Sequence, residues 1–361
     1  MSKITLERYF YPVGQGLCCR ERFVFNDEIE NAKGKPKEFN LVYDCGAGIN
    51  KKPAEDAEKI IKEAFKGLVI DYIFVSHFHN DHTNLLDTII DSCKQGGTVK
   101  KILIPCITEE EKNILLYLDG HVNQKLIQTA VELLDNEVSE YRGVGVFSNS
   151  SLEKDGRLDF WKYHKTGYNS NILKGQFLHN INNRKNELKD LSGDTIQYLK
   201  DLSIFKNPDF IKRNKTVLKE IYEDLGDLNE QSEILFSFPV ATLNNIKAIL
   251  GFEFKKFDEN KLGAIYFGDY PLQYFRLDIQ TELGKDADKI GTIQIPHHGS
   301  KTGLYPSFYA DNIVYPIAFG IRNRYRHPKT DVISCITAMR ETFPIYITEY
   351  SYYIQKFEFE V

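Results

Sequence analysis

The stretch VIDYIFVSHFHNDHTNLLDTIIDSC (69–93) constrains the fold more than any other part of the chain. Residues 69–76 are an almost continuous apolar run, the pattern of a strand buried on both faces in a layered α/β protein. Leu85, Leu86, Ile89, Ile90 and Cys93 then recur at helical spacing, so a helix follows. Between strand and helix sit His77, His79, Asp81 and His82, which use three of the chain's nine histidines within six positions. In α/β sheets the carboxyl end of a strand is where ligands bind. His77 and His79 are two apart on an extended strand end and point to one side, while the turn into the helix carries Asp81 and His82 to a second point nearby. One corner can thus supply ligands to two cations. Imidazole and carboxylate donors without a neighbouring thiolate suit Zn²⁺, with Mn²⁺ or iron as alternatives.

The rest of the chain repeats this alternation. Strand character occupies 4–24, 38–45 and 100–105, a helical stripe runs through Ala57, Ile60, Ile61 and Phe65, and two helices fit 108–138. From about 140 to 230 the chain is polar, rich in Asn and Lys, and weakly periodic, which reads as a partly helical insertion. Strands return at 233–240, 245–254 and 263–270, followed by helix 272–284, strand 290–295, helix 302–310, strand 313–319, helix 329–342 and strands 345–348 and 351–360. Two runs of strands, each interleaved with helices, predict an α/β fold built as a four-layer αββα sandwich. The expected organisation is a single domain over 1–361 with an insertion at 107–232.

Hydrophobic residues make up 42% and charged residues 27%, as in a globular protein able to bury a core. No run approaches the roughly 20 apolar residues of a membrane helix, and the amino terminus lacks a secretory pattern, so a cytoplasmic protein without membrane contact is expected. Cys18, Cys19, Cys45, Cys93, Cys106 and Cys335 form no CxxC pair and read as reduced thiols. A net charge of −5 argues against a generic basic coat for nucleic acid. Locally, however, residues 153–220 hold 14 Lys and Arg against 9 Asp and Glu, interleaved with Trp161, Tyr163, Tyr168 and Phe177, a mixture suited to phosphate contacts and base stacking.

The cluster resembles the HxHxDH signature of the metallo-β-lactamase-fold hydrolases. Further stretches stand in the order that superfamily requires: VYDCG with Asp44, YFGD with Asp269, IPHHGS with His297 and His298, and RNRYRHP with His327. Together with VGQG (13–16) and Asn244-Asn245, they are most similar to the hydrolase domain of ComEC-type DNA-uptake proteins and its soluble relatives. The similarity covers about 8–106 and 233–360. It implies two divalent metal ions held by His77, His79, Asp81, His82, the bridging Asp269 and one of His297 or His298. Asp81 and His327 are the implied catalytic side chains. The sequence departs from the pattern in having Thr83-Asn84 where the family usually has Gly-Gly. It also shows no distinct third histidine for the first metal, His121 being the one nearby candidate and reading better as a cap or surface residue.

Two metals sharing a water would lower its pKa and aim it at a phosphodiester or acyl carbonyl. Lys301, Arg322, Arg324 and Arg326 beside the late motifs suit a phosphate better than a neutral lactam. The expected activity is therefore that of a metal-dependent phosphodiesterase or nuclease using a metal-activated hydroxide on nucleic acid or another phosphodiester. A small-molecule phosphodiesterase, acting on a cyclic nucleotide or a phosphorylcholine-type ester, is one alternative. A non-catalytic metal-binding component of a multi-protein system is the other.

Overall fold

The structure is a computed structural model that describes residues 2–29, 36–48, 51–105, 108–127, 144–146, 158–166, 170–189, 202–224, 232–251, 258, 260–273, 277–303 and 305–361. Its strands are β1 (Lys3–Phe10), β2 (Cys18–Ile29), β3 (Pro36–Cys45), β4 (Val69–Phe74), β5 (Thr98–Ile104), β6 (Val144–Val146), β7 (Trp161–Thr166), β8 (Ile234–Pro239), β9 (Asn244–Ile249), β10 (Gly263–Tyr266), β11 (Ile290–Ile293), β12 (Val314–Ala318), β13 (Phe343–Ile347) and β14 (Tyr353–Glu360). They form an eight-stranded sheet in the order β6-β5-β4-β3-β2-β1-β14-β9 and a six-stranded sheet in the order β13-β12-β11-β10-β8-β7. Strands β3 to β6 are mutually parallel, as are β10 to β13. Each sheet therefore presents a set of strand carboxyl ends where ligands bind.

The layering follows from which faces are apolar. Leu6, Phe23, Tyr43 and Phe74 of the first sheet pack against Leu235, Tyr266 and Val314 of the second in one core cluster. On the outer face of the first sheet, Ile61 and Phe65 at helix Lys51–Ala64 and Ile89 of helix Leu86–Cys93 cover Val42, Ile70 and Ile73. Val332 and Ile336 of helix Thr330–Thr337 close the far side of the second sheet over Ile293 and Tyr315. Helix, sheet, sheet and helix make the four expected layers.

Several local expectations are corrected. The 302–310 segment makes two separate 3₁₀ turns, Lys301–Gly303 and Pro306–Phe308, because Gly303 and Pro306 break a continuous helix. Among the described residues of the helix expected over 272–284, Ile279–Leu283 are helical, with the Asp278 carboxylate capping the start and Gly284, at positive φ, ending it. Within 107–232, β6 joins one sheet and β7 the other. Helices Glu109–Leu118, Ser170–Asn183, Pro208–Arg213 and Lys215–Asp224 share a cluster through Ile114, Ile181, Ile211 and Leu218. Trp161 and Tyr163 are core residues between the sheets and Phe177 lies inside the helical cluster, so none of the three is a stacking platform. Tyr168 and Cys106 lie outside the described residues.

An ion pair is buried at the centre of the sandwich. Arg8, fully buried, donates from Nε to Glu21 Oε1 at 2.6 Å. Tyr266 also donates to Oε1, at 2.9 Å, while Tyr163 and Ser237 donate to Oε2 at 2.8 and 2.6 Å. The Arg8 guanidinium lies 5.4 Å from the Phe357 ring centre and 5.9 Å from that of Trp161. The four donors on Glu21 come from strands of both sheets, so the network fixes their facing register. Removing one partner of such a pair strands a charge. Glu21→Leu should lower stability by about 3–5 kcal/mol in urea unfolding, and Arg8→Leu added to it should restore part of the loss. A change below about 1 kcal/mol for Glu21→Leu would contradict this account of the core.

Candidate metal centre

The site is assembled where the carboxyl ends of the two parallel strand sets meet. Asp44 ends β3 with a positive φ of 54° and accepts from Ser76 N and Ser76 Oγ, both at 2.7 Å, so the ends of β3 and β4 are tied together. The same Asp44 Oδ2 holds His82 Nδ1 at 2.7 Å. His79 precedes the short helix Asn80–Thr83, whose first turn carries Asp81 and whose last carries His82. From the second sheet, Asp269 follows β10, and His297 and His298 follow β11 with φ of 48° and 55°. Left-handed backbone costs a non-glycine residue on the order of 1–3 kcal/mol, and consecutive histidines in it mark a constrained loop.

In each histidine of the cluster one ring nitrogen is engaged by the surrounding protein. His77 Nδ1 lies 2.9 Å from Ser76 Oγ and 3.2 Å from Ser232 Oγ. His79 Nε2 lies 3.0 Å from Asp119 Oδ2, His297 Nδ1 lies 3.0 Å from Thr302 Oγ1, and His298 Nδ1 lies 2.9 Å from the Ala318 carbonyl. The other nitrogens of His82, His297 and His298 face carboxylates. His82 Nε2 is 3.0 Å from Asp269 Oδ1, His297 Nε2 is 3.9 Å from Asp269 Oδ2, and His298 Nε2 is 3.3 Å from Asp81 Oδ2 and 3.7 Å from Asp269 Oδ1.

His77 Nε2, His82 Nε2 and Asp269 Oδ1 are buried without an aligned hydrogen-bond partner among the described residues. Three lone-pair donors converging in this way fit a cation, and two groups have the required proximity. Asp81, His82, Asp269 and His298 form one; His77, His79 and Asp269 form the other, with ligand atoms within 4.8 Å of one another in each. Asp269 belongs to both.

The charges are arranged accordingly. Burial alone would raise the Asp269 pKa, but His82, His297 and His298 hold it well below the usual carboxylate range. Burial likewise opposes charge on His82, and Asp269 and Asp44 more than offset it, raising its pKa. His77, burdened by burial and by its neighbours His82 and His79, is pushed down and is neutral.

The cluster floors a cavity of about 390 Å³ whose rim carries Gln15, Asn80, His121, Arg322, Arg324 and Tyr325. His327 also lines it, with its ring 5.8 Å from that of His297. Burial and the neighbouring histidines push the His327 pKa down to about 3, so its ring is neutral at neutral pH. All eight predicted site residues are therefore together. Lys301 and Arg326 are exposed and are not among the residues lining this cavity. His121 has an exposed side chain at the rim, and it is the neighbouring Asp119 that touches a cluster histidine. His164 and His179 contact Phe236 and Asn183.

The missing Gly-Gly has a structural counterpart. A Cβ at Gly46 would overlap the Asp81 carbonyl and the His82 amide nitrogen, and one at Gly16 would overlap Gly46 and Asp81. The close backbone approach is thus supplied by glycines on the facing loops. Asn84 pins those loops by bonding Ala47 N and O, each at 2.8 Å, and Thr83 Oγ1 donates to the His79 carbonyl at 2.8 Å. Asp119 and Ser232 are the site residues that sequence reasoning missed. Asp119 accepts from His121 N at 2.8 Å and from Tyr222 OH at 3.0 Å, which links the 215–224 helix to His79.

Residues 35–127, about a quarter of the chain, match the family model described as metallo-beta-lactamase superfamily. No curated protein matches the chain in sequence. Among solved structures, unliganded yeast PDE1 aligns with a TM-score of 0.42 and 9% identity, covering 99% of this chain and 100% of that one. A long form RNase Z from yeast aligns at 0.35 and 12%, covering 97% and 41%. A beta-lactamase domain protein from Burkholderia ambifaria aligns at 0.25 and 14%, covering 45% and 47%. The two sheets with helices outside them are a mixed α/β fold whose arrangement matches that of the metallo-β-lactamase fold.

Two outcomes test the geometry. Asp119→Ala should weaken cation binding about 10–100-fold in chelator competition, as losing a carboxylate that orients a ligating histidine does elsewhere. Gly46→Ala should displace the Asp81–His82 backbone and reduce bound metal in elemental analysis while circular dichroism stays unchanged. Undiminished metal binding in both variants would show that neither residue shapes the site.

Proposed function

We propose that the protein is a metal-dependent phosphodiesterase, acting on nucleic acid, with two divalent cations at the cluster. The observation that carries this is the stacking of charge: a histidine–carboxylate floor built around one shared carboxylate, Asp269, beneath a rim bearing Arg322 and Arg324. A cation-binding floor and an anion-binding rim in one cavity match a phosphate ester. A neutral lactam or a simple amide would not use both.

In this reading His77, His79 and Asp269 would hold one cation, and Asp81, His82, Asp269 and His298 would hold the other. Imidazoles and carboxylates without a thiolate suit Zn²⁺, with Mn²⁺ as the substitute. When bound, the pair supplies Lewis acidity that makes water a competent nucleophile near neutral pH and offsets charge on a phosphoryl oxygen. Asp81, ionised against burial by His298, lines the cavity and orients water there. Neutral His327 donates a hydrogen bond to a phosphate oxygen, and is not positioned in charge to act as an imidazolium acid. Arg322 and Arg324 bind flanking phosphates from the rim.

Likeness to ComEC-type domains in the motifs at 13–16, 269, 297–300 and 323–328 supports a polynucleotide substrate. The cavity size, about 390 Å³, supports a second reading, a small phosphodiester of nucleotide dimensions. We further read 1–361 as one domain with the 107–232 segment inserted in it, and the free thiols Cys18, Cys19, Cys45, Cys93 and Cys335 as those of a cytoplasmic protein. Among the described residues no helix is long and apolar enough to cross a membrane.

Incubation with Zn²⁺ or Mn²⁺ should give hydrolysis of bis(p-nitrophenyl) phosphate and of single- or double-stranded polynucleotide, with EDTA abolishing both. The His79→Ala/Asp81→Ala variant should lose more than about a hundredfold, exceeding the effect of outer-sphere changes. Turnover of the small ester with intact polynucleotide would select the second reading. No turnover of either, or equal turnover by the variant, would remove the phosphodiesterase assignment.

A further inference from the structure

The ten large apolar side chains that remain exposed among the described residues are not scattered evenly. Six of them, Ile321, Tyr325, Phe343, Tyr346, Tyr350 and Tyr352, fall between 321 and 352. Tyr350 is 83% exposed and Tyr352 67%, values a tyrosine in a monomer rarely needs for packing. Ile321, Tyr325, Tyr350 and Tyr352 lie on the loops that follow β12 and β13, while Phe343 and Tyr346 belong to β13 itself, whose Tyr346 and Ile347 pair with Ile317 and Ala318 of β12. The two loops are joined where Ile321 N donates to Glu349 Oε2 at 3.1 Å, and Gly320 N ties the first loop to Gln15 Oε1 at 3.2 Å. Tyr325 lines the cavity together with Gln15, so the band adjoins the site at its Tyr325 end.

The first loop is also rigid. Asn323 Nδ2 donates to the carbonyls of Gly320 and His327 at 2.6 and 2.8 Å, and Asn323 Oδ1 accepts from His327 N at 2.8 Å. The loop so clamped projects Arg322, Arg324, Tyr325 and Arg326 into solvent. Glu349, the acid on the two loops, accepts from Ile321 N, and Asp331 and Glu341 lie outside those loops. Exposed rings interspersed with cations, held on an ordered frame that leads into a phosphate-binding cavity, have the composition of a single-strand nucleic-acid track.

We propose that this band, with Tyr350 and Tyr352 at its outer end, is the binding surface for a single-stranded segment of polynucleotide whose phosphodiester enters the cavity. The proposal rests on the phosphodiesterase reading of the site and specifies its substrate. Base stacking on Tyr350 and Tyr352 gives affinity, and Arg322 and Arg324 receive the backbone on its way to the cluster.

The test uses EDTA-treated full-length protein and fluorescein-labelled single-stranded oligothymidylate, read by anisotropy. The Tyr350→Ala/Tyr352→Ala variant should bind at least about tenfold more weakly than wild type, and Tyr350→Phe/Tyr352→Phe should stay within about twofold, because the ring does the stacking. Hydrolysis of bis(p-nitrophenyl) phosphate by the metal-loaded alanine variant should equal that of wild type, since both tyrosines lie outside the cavity. Equal oligonucleotide affinity in wild type and alanine variant, or no binding by wild type, would overturn the proposal. Tyrosine-dependent binding without any ester hydrolysis would uphold the surface and refute the phosphodiesterase reading instead.

Discussion

The structure turns on one buried carboxylate. Asp269 is 2% exposed, and a lone anion there would carry a desolvation cost of several kcal/mol. Three imidazoles answer it: His82 from the first sheet, His297 and His298 from the second, with nitrogens at 3.0, 3.9 and 3.7 Å. Because the partners come from both sheets, the carboxylate can be satisfied only when β4 and β10 end at the same place. The sandwich core secures that meeting through contacts remote from the site. Glu21 gathers Arg8, Tyr163, Ser237 and Tyr266 across the interface, and Tyr43 OH reaches the Glu233 carbonyl at 2.9 Å. Site and core are one construction problem, in which buried charge is tolerated only because fixed strands bring its partners.

Much of this was legible in the chain itself. The apolar run before His77 predicts a central strand, and β4 is flanked on both sides by parallel partners. His77, His79, Asp81 and His82 belong to one corner, so local spacing was enough to foresee two ligand groups. Asp269, His298 and His327 are distant in sequence and were placed by resemblance alone. The His297–His298 ambiguity could not be resolved from residue type, since it depends on backbone: left-handed turns send His298 Nε2 toward Asp81 and leave His297 Nε2 at 3.9 Å from Asp269.

What stayed hidden was long-range and chemically ordinary. Asp119 meets His79 from 40 positions away, and Ser232 meets His77 from 155. Neither has a motif around it, although Asp119 stands two residues from His121, the exposed histidine read from sequence as a cap or surface residue. The aromatic residues of the 153–220 region misled for a related reason. Ring and charge content describe a core strand such as β7 as well as a binding surface, and only tertiary burial tells them apart. Of the exposed rings between 321 and 352, Tyr325, Tyr350 and Tyr352 belong to loops and Phe343 and Tyr346 to β13, in a stretch whose sequence reads as ordinary strand ends.

Two cations sharing Asp269 are what the proposed chemistry requires above all. Anomalous diffraction from a crystal of the zinc-loaded protein, collected at the zinc edge, addresses this directly. Two peaks roughly 3.5–4 Å apart are predicted, one beside His77 and His79 and the other beside His82 and His298, with the Asp269 carboxylate between them. Absence of anomalous signal at the cluster in crystals holding zinc elsewhere would contradict it.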